Sequence, residues 1–305
     1  MAQVLDSAIP LLIEAVPKPR RGSSRLLRSL LRARMALFGV FFLALVVVCA
    51  LAAPLLAPHD PADGTIVASK LPPAWEAKGE SAYLLGTDEV GRDILSRTIY
   101  GARVSLTVGI MAVALAGAIG VLAGMLTGYY RGRLDDVIMR IVDIQLAIPF
   151  ILFAIAMLAV TRPGLRSIII VLGITGWVTY ARVVRGQVLS LREKEFVEAA
   201  RCIGARDPQI MWRHILPNTW ASIIILASFA VASTILAEAA LSFLGLGVPP
   251  NIATWGGMIA AGRDQIITGR WWIYTFPGVA IMLTVLSINA VGDWLRDYLD
   301  PRLRV

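Results

Sequence analysis

Two ionisable residues lie inside long apolar stretches and are the first candidates for chemistry. Asp143 lies near one end of the apolar segment from about Val137 to Val160, and Glu238 lies in the apolar run from Thr219 to Leu244. A carboxyl group inside a bilayer is costly, so both side chains are expected to face protein or water. Two roles stay open for them: lining a path through the membrane, or hydrogen bonding to a neighbouring helix.

Other residue types exclude several chemistries. A phosphate-binding loop needs Lys directly after Gly, and none of the lysines in this chain follows a glycine. The histidines are His59 and His214, and the sequence contains neither an HExxH nor a GxSxG motif. Cys49 and Cys202 lie in different surroundings and are not spaced as metal ligands. We therefore expect no catalytic residue, no metal, no disulfide and no cofactor bound by this chain.

A polar stretch near residue 200 has the pattern of two short helices joined by a bend. Four apolar residues recur at i, i+3, i+4 and i+7 and would line one helix face: Phe196, Ala199, Ala200 and Ile203. Gly204 can take the left-handed backbone angles of a C-terminal cap. Asp207 can cap the next helix, in which Pro208 is tolerated in the first turn and which is expected to end near Pro217. A pair of helices this short needs a groove in another protein, which predicts a docking element.

The same stretch carries a resemblance to a known family. Glu-Ala-Ala, three residues, Gly and then Leu-Pro resembles the cytoplasmic "EAA" coupling loop of ABC importer permeases, and Arg-His-Ile-Leu-Pro-Asn is similar to the C-type dipeptide and oligopeptide permease subunits. The string Leu-Gly-Thr-Asp, two residues, Gly-Arg-Asp, one residue, Leu-Ser-Arg at 85–97 is similar to the segment that precedes the core domain in those subunits. By this resemblance the residues that couple the chain to the ATPase are Glu198, Ala199, Ala200, Gly204, Ala205, Leu216 and Pro217.

The composition predicts an integral membrane protein. The chain has 305 residues, of which 57% are hydrophobic and 16% charged, and its mean hydropathy is +0.71. Soluble domains carry about 25% charged residues. Long apolar segments fall at about 37–56, 104–129, 137–160, 167–189, 219–244 and 276–294, with a kink expected near Ile148, ahead of Pro149. Small residues repeat at helical spacing in the second segment, which predicts close packing against another helix.

These segments divide the chain into five parts. They are a basic cytoplasmic tail at 1–36, a first transmembrane helix at 37–57, an external loop at 58–98, a five-helix permease domain at 99–297 that includes the cytoplasmic coupling loop at 190–217, and a cytoplasmic C-terminus at 298–305. Most Lys and Arg residues then lie on the inner side, in agreement with the positive-inside rule. The net charge of +8 is spread along loops on alternate sides, so it indicates topology and lipid contact rather than nucleic-acid binding.

The resemblance implies an all-α, six-span protein with type I ABC importer permease architecture and both termini in the cytoplasm, embedded in the bacterial inner membrane. It also implies a second homologous permease subunit, two ATP-binding subunits that hold ATP and Mg, and an external solute-binding protein. Peptides are the default substrate, with nickel complexes, glutathione or another small solute as alternatives. An ion-coupled secondary transporter using Asp143 and Glu238, or a scaffold subunit, are the competing interpretations.

Overall fold

The computed structural model of the protein describes residues 29–299. Its helices are α1 (Arg34–Leu51), α2 (Ala53–Leu56), α3 (Ile94–Tyr130), α4 (Gly132–Ala147), α5 (Phe150–Val160), α6 (Leu165–Leu191), α7 (Glu195–Cys202), α8 (Asp207–Ile210), α9 (Leu216–Phe243), α10 (Trp255–Gly262) and α11 (Trp272–Leu299). A π-helical turn, Met211–Ile215, joins α8 to α9. Within the described residues, extended pairing is limited to two isolated bridges. The basic tail at 1–28 and the end of the C-terminus at 300–305 lie outside the described residues.

Five helical stretches are long and apolar enough to cross a membrane: α1, α3, α6, the stretch Asp207–Phe243, and α11. The pair α4 and α5 makes a sixth span if it is counted as one, although its two helices are bent by 97°. The break falls where Pro149 was expected to cause a kink. Ile148 is extended there and Pro149 precedes α5, because a residue before proline avoids helical backbone angles.

The centre of the fold is the contact between α3 and α6, which depends on glycine. Gly120, Gly124 and Gly128 recur every four residues along α3. A Cβ atom on Gly120 would lie 2.3 Å from the carbonyl oxygen of Trp177, and one on Gly124 would lie 2.6 Å from that of Ala181. The two backbones therefore touch along this stripe, as the small-residue repeat predicts.

One end of the molecule is closed by the segment 58–93 together with the segment 245–271, which we call the cap. Asp93 caps α3 by accepting hydrogen bonds from the amide of Ser96 (2.9 Å) and from its hydroxyl (2.6 Å). Because Asp93 satisfies these groups at the helix N-terminus, α3 starts at Ile94, ten residues before the start expected at about Val104. Asp88 pairs with Arg92 at 2.7 Å, and Arg92 donates to the carbonyl of Pro250 at 2.8 Å, which joins the two cap segments.

The cap is also fixed to the helices by tryptophan. Trp255, only 2% exposed, donates from its indole nitrogen to the carbonyl of Thr98 at 2.9 Å, and Trp272 donates to the carbonyl of Thr87 at 3.2 Å. At its start the chain packs α1 against α11, where a Cβ on Gly39 would lie 2.8 Å from the carbonyl oxygen of Ser287. Helix α3 starts in the cap, and Arg131, which directly follows its other end, pairs with Glu193 at 2.7 Å. The cap and the loop at 192–206 therefore lie at opposite ends of the helical core, which we call the cap end and the hairpin end.

Candidate functional site

The docking element predicted from the sequence is a compact hairpin, residues 192–215, which we call the coupling hairpin. Its first helix, α7, ends in a full glycine cap: Gly204 has φ +83, its amide donates to Arg201, and the amide of Ala205 donates to the carbonyl of Ala200 at 3.0 Å. This pair of bonds is the Schellman arrangement, which satisfies carbonyls that the helix leaves free. The predicted role of Gly204 as a cap is confirmed.

One face of the hairpin is buried against the core. Val197 and Ile210 are fully buried and Ala200 is 4% exposed. They pack in one cluster with Met125 of α3 and Val188 of α6, among others. Any movement of the hairpin therefore acts directly on the two helices at the centre of the fold.

Three large apolar side chains of the hairpin are exposed among its polar residues. Ile203 is 85% exposed, Trp212 57% and Phe196 39%, and Ala199 is also exposed. Large apolar side chains grouped on one surface are typical of a protein contact. The expected four-residue apolar face is thus shared between two surfaces: Ala200 points into the core, whereas Phe196, Ala199 and Ile203 are free to meet another subunit.

The remaining coupling residues have distinct surroundings. Glu198 is exposed on α7, and Ala205 is half-buried next to the cap. Leu216 is buried, whereas Pro217 is exposed at the start of α9. The expected helix end near Pro217 is wrong, because helical structure continues from Asp207 through Phe243. The wider π turn just before Pro217 accommodates a residue that has no amide hydrogen and whose ring would crowd the preceding turn of an α-helix.

Asp207 also differs from expectation, since no side-chain cap forms at α8 and its carboxylate binds elsewhere. It accepts a hydrogen bond from the hydroxyl of Tyr129, at the end of α3, at 2.6 Å. Arg192 and Arg201 each place a guanidinium 5.8 Å from the centre of the Tyr129 ring, and Arg192 also donates to the carbonyl of Tyr129. Tyr129 thus ties three parts of the hairpin to α3.

Sequence reasoning missed Tyr129. The one available signal is the pair Tyr129-Tyr130 at the point where an apolar helix ends, where aromatic side chains with a polar tip are common. Nothing in the local pattern links that pair to Asp207, which is 78 residues away.

The two intramembrane carboxyl groups are in opposite environments. Glu238 is 1% exposed; its Oε1 accepts a hydrogen bond from Ser242 at 2.8 Å, and its Oε2 lies close to Gly256 of α10. Asp143 is exposed on α4. The structure therefore brings neither of them to the hairpin, nor the two of them together.

A cavity of about 610 Å³ lies between α3, α6, α9 and the break between α4 and α5. Leu146 and Phe150 border it on either side of the break, and Phe229 faces it from α9. None of the lining residues is Asp, Glu, Lys, Arg or His. Five of them carry a hydroxyl group: Thr175, Thr179, Tyr180, Ser233 and Thr234. Neither Asp143 nor Glu238 is among the residues that line it.

The described part of the chain offers no group for catalysis by a metal. Within residues 29–299, no three His, Cys, Asp or Glu side chains are grouped so that they could hold an ion. The coupling hairpin is suited to contact with another protein, and the cavity is large enough for contact with a solute. Membrane-crossing helices with a two-faced hairpin at one end fit a transport subunit of the membrane.

Family comparison identifies the kind of transport subunit. Residues 120–305 match the family described as "Binding-protein-dependent transport system inner membrane component", and residues 24–73 match the "N-terminal TM domain of oligopeptide transport permease C". This chain belongs to the binding-protein-dependent transport system inner membrane component family. It is a multi-pass inner-membrane protein, the permease component of an ABC transporter complex.

Individual relatives are similar in sequence to this chain over most of its length. It is 44% identical over 269 residues to the di/tripeptide transport system permease protein DppC of Pseudomonas aeruginosa, covering 88% of each chain. It is 41% identical over 277 residues to the dipeptide transport system permease protein DppC of Bacillus subtilis, covering 91% of this chain and 85% of that one. The oligopeptide transport system permease protein OppC of Bacillus subtilis is 39% identical over 271 residues, with 89% and 87% covered.

Among solved structures, the inward-facing MetNI methionine ABC transporter contains a chain of the same fold. The TM-score is 0.57 at 21% identity, over 67% of this chain and 96% of that chain. A second crystal form of the same transporter gives a TM-score of 0.56 at 22% identity. The type I importer permease architecture implied by the resemblance is confirmed.

Proposed function

We propose that this chain is one of two homologous permease subunits of an ATP-driven importer that moves dipeptides and oligopeptides into the cytoplasm. Three relatives at 39–44% identity are named as di/tripeptide, dipeptide and oligopeptide transport permeases, which supports peptides over nickel complexes or glutathione. An external solute-binding protein delivers the peptide to the cap end.

The two-faced coupling hairpin is the observation that carries this proposal. Its buried face, with Val197 and Ile210, packs on α3 and α6, and its exposed face offers Phe196, Ile203 and Trp212 to another protein. ATP and Mg are bound and ATP is hydrolysed by two partner subunits, one of which seats this face. When the ATP-binding subunits close, the hairpin moves and carries α3 and α6 with it.

The hairpin end faces the cytoplasm in this proposal, and so do both termini. The basic residues of the N-terminal segment and of the hairpin lie on one side of the membrane in this orientation, as the positive-inside rule requires. ATP is available on that side, so orientation and energy source agree.

The cavity between α3, α6 and α9 forms part of the translocation path. Its hydroxyl groups can form hydrogen bonds with a passing peptide, and because no acidic or basic side chain lines it, it does not hold a charged peptide tightly. Asp143 belongs to the path on the hairpin side of the cavity, because its side chain is exposed on a bent membrane span. The burial of Glu238 beside Ser242 and Gly256 favours the other role raised for it, which is to hold α10 against α9.

Co-purification and uptake test the proposal together. The tagged chain is extracted from its native membrane in mild detergent, its partners are identified by mass spectrometry, and peptide uptake is measured in proteoliposomes containing the complex. We expect two ATP-binding subunits and a second permease, and we expect the ATP-binding subunits to be lost when Glu198 and Gly204 are replaced together. Asp264→Asn, an exposed change in the cap, is the matched control. Recovery of the chain alone, under conditions that preserve a known membrane complex, would reject the assignment.

A further inference from the structure

Helix α4 carries four charged residues of alternating sign on one face. Arg133, Asp136, Arg140 and Asp143 are spaced by three, four and three residues, which places them in one row on a helix. All four side chains are exposed. We call this row the charge stripe; its net charge is zero.

The charge stripe has no close ionic partner in the described part of the chain, although Asp136 lies near enough to Arg185 of α6 to interact with its charge. Within residues 29–299, none of its four members takes part in an ion pair or a side-chain hydrogen bond. Asp135, the one other carboxylate of α4, does have such a partner: it binds Arg185 of α6 through both carboxylate oxygens, each at 2.6 Å. The stripe is therefore the side of α4 that faces away from the fold.

Contacts along α4 show how deep the stripe reaches. Asp135 meets Arg185, Val142 packs with Val178 and Ala181, and Gln145 donates to the carbonyl of Thr175 at 3.0 Å. In these pairs the residue number on α6 falls by as much as the number on α4 rises, so the two helices run antiparallel. Asp143 therefore lies level with Trp177. That position is close to the midpoint of α6 (Leu165–Leu191), a helix long enough to cross the membrane.

Lipid is a poor neighbour for such a row, because a carboxylate at that depth requires water or protein around it. The cavity lies next to this row, because Leu146, one turn beyond Asp143, borders it. The cavity lining contains no Asp, Glu, Lys, Arg or His. A solute leaving the cavity towards the hairpin end would therefore pass from an uncharged chamber to a row of alternating charges.

We propose that the charge stripe holds the two charged termini of a zwitterionic peptide as it leaves the cavity, which rests on the peptide-import function proposed above. A peptide of two or three residues spans at most about 7 to 11 Å. The stripe covers eleven residues of helix, with about 15 Å between its first and last residues and opposite charges about 4.5 to 6 Å apart along the axis. Both termini can thus meet opposite charges at once, with Asp143 binding the ammonium group and Arg140 the carboxylate. Because the signs alternate, the peptide can exchange partners stepwise and is not trapped.

The test compares peptides that lack one terminal charge. The full complex is reconstituted in proteoliposomes with its binding protein, and uptake is measured for a labelled Ala-Phe dipeptide, its C-terminal amide and its N-acetyl form. Each peptide is supplied at a concentration shown by fluorescence to saturate the binding protein. The variants are Arg140→Gln and Asp143→Asn, and the matched control is Asp293→Asn, an exposed carboxylate on α11.

We expect Arg140→Gln to lower uptake of the free dipeptide about tenfold and that of the amide much less, because the amide has no carboxylate to lose. Asp143→Asn should lower uptake of the free dipeptide to a similar extent and spare the N-acetyl form. Stimulated ATP hydrolysis and the co-purifying subunits should match the wild type. Equal losses for all three peptides, or uptake unchanged in both variants, would overturn the proposal. Loss of a subunit would also overturn it, and would assign the stripe to a contact with the partner permease. If the wild type imports none of the three peptides while its ATP hydrolysis is stimulated, the peptide-import function itself fails.

Discussion

Replacing Tyr129 by Phe should loosen the coupling hairpin without unfolding the membrane core. The change removes one hydroxyl, which donates to Asp207 at 2.6 Å, and keeps the ring that is 3% exposed. The two guanidinium groups at 5.8 Å from the ring centre therefore keep their contact with the ring. What is lost is the hydrogen bond from the Tyr129 hydroxyl to Asp207 at the start of α8, together with the hydrogen bond between that hydroxyl and Arg201 of α7.

The size of the effect follows from the environment of Asp207. A hydrogen bond to a charged group contributes about 1.5 to 3 kcal/mol. Asp207 is exposed, so water can replace the lost donor, and the lower figure of about 1.5 kcal/mol applies. That corresponds to about a tenfold smaller ratio of packed to unpacked hairpin.

Hydrogen exchange measures this ratio directly. When opening is brief, the exchange rate of amides in residues 195–210 follows the opening equilibrium, so it should rise about tenfold in Tyr129→Phe. The amides of α3 and α6 near Gly124 should exchange as in the wild type. Peptide imported per ATP hydrolysed should fall in the same variant.

A neighbouring tyrosine supplies the control. Tyr130 is 47% exposed, and its hydroxyl has no hydrogen-bond partner within residues 29–299, so Tyr130→Phe should change nothing. Asp207→Asn should reproduce part of the effect, and the double variant should be less than additive. Unchanged exchange in Tyr129→Phe, or an equal rise in Tyr130→Phe, would refute the assignment of Tyr129 as the link between hairpin and core.

Three further outcomes are expected. Gly124→Leu should destabilise the α3–α6 contact severely and lower the yield of folded protein in detergent, whereas Gly186→Ala, where an added methyl meets nothing within 4 Å, should leave the yield and the thermal midpoint close to wild type. Gly204→Asp should leave the protein inserted but abolish ATP-driven uptake, because it places a charge on the docking surface at a left-handed position. Gly204→Asn should retain more activity, because Asn tolerates φ +83 better and adds no charge. Activity of both variants equal to that of the wild type would contradict docking at this turn. Glu238→Gln should keep most uptake, because the amide oxygen still accepts a hydrogen bond from Ser242. Glu238→Ala should lower the thermal midpoint, because it removes the buried partner of Ser242. A strong uptake defect in Glu238→Gln with normal stability would indicate that Glu238 acts in the translocation path.

The sequence predicts those features that depend on local geometry. Gly204 ends α7 because a left-handed residue closes a helix, and Pro149 breaks the third span because it removes an amide and restricts the residue before it. The small-residue repeat of α3 predicts a close helix partner, although the pattern does not say that the partner is α6. Both resemblances led to the correct family because their motifs are long and lie far apart in the chain.

Other features depend on contacts between distant segments, which a local pattern does not contain. Helix α3 starts at Ile94 instead of near Val104, because the cap buries Arg97 and supplies the carbonyl of Pro61 as a partner at 2.8 Å. By sequence alone those first turns are polar and resemble a loop. The sequence allows Asp207 either to cap its own helix or to bind Tyr129, and only the folded core brings Tyr129 within hydrogen-bond distance. The continuous helix through Pro217 likewise requires the π turn that precedes it.

The way the cap is fastened has a consequence for the biosynthesis of the protein. Its bonds join residues far apart in the chain: Arg92 reaches the carbonyl of Pro250 across 158 residues, and Trp272 reaches that of Thr87 across 185. Long-range contacts of this kind form late, whereas α3 and α6 can pair as soon as both have been inserted. Until residue 250 has been synthesised, the segment 58–93 has only local partners of this kind, among them the pairs of Asp88 with Arg92 and with Arg97. A nascent chain that ends before Pro250 therefore lacks both bonds, and its segment 58–93 is not yet joined to the second cap segment.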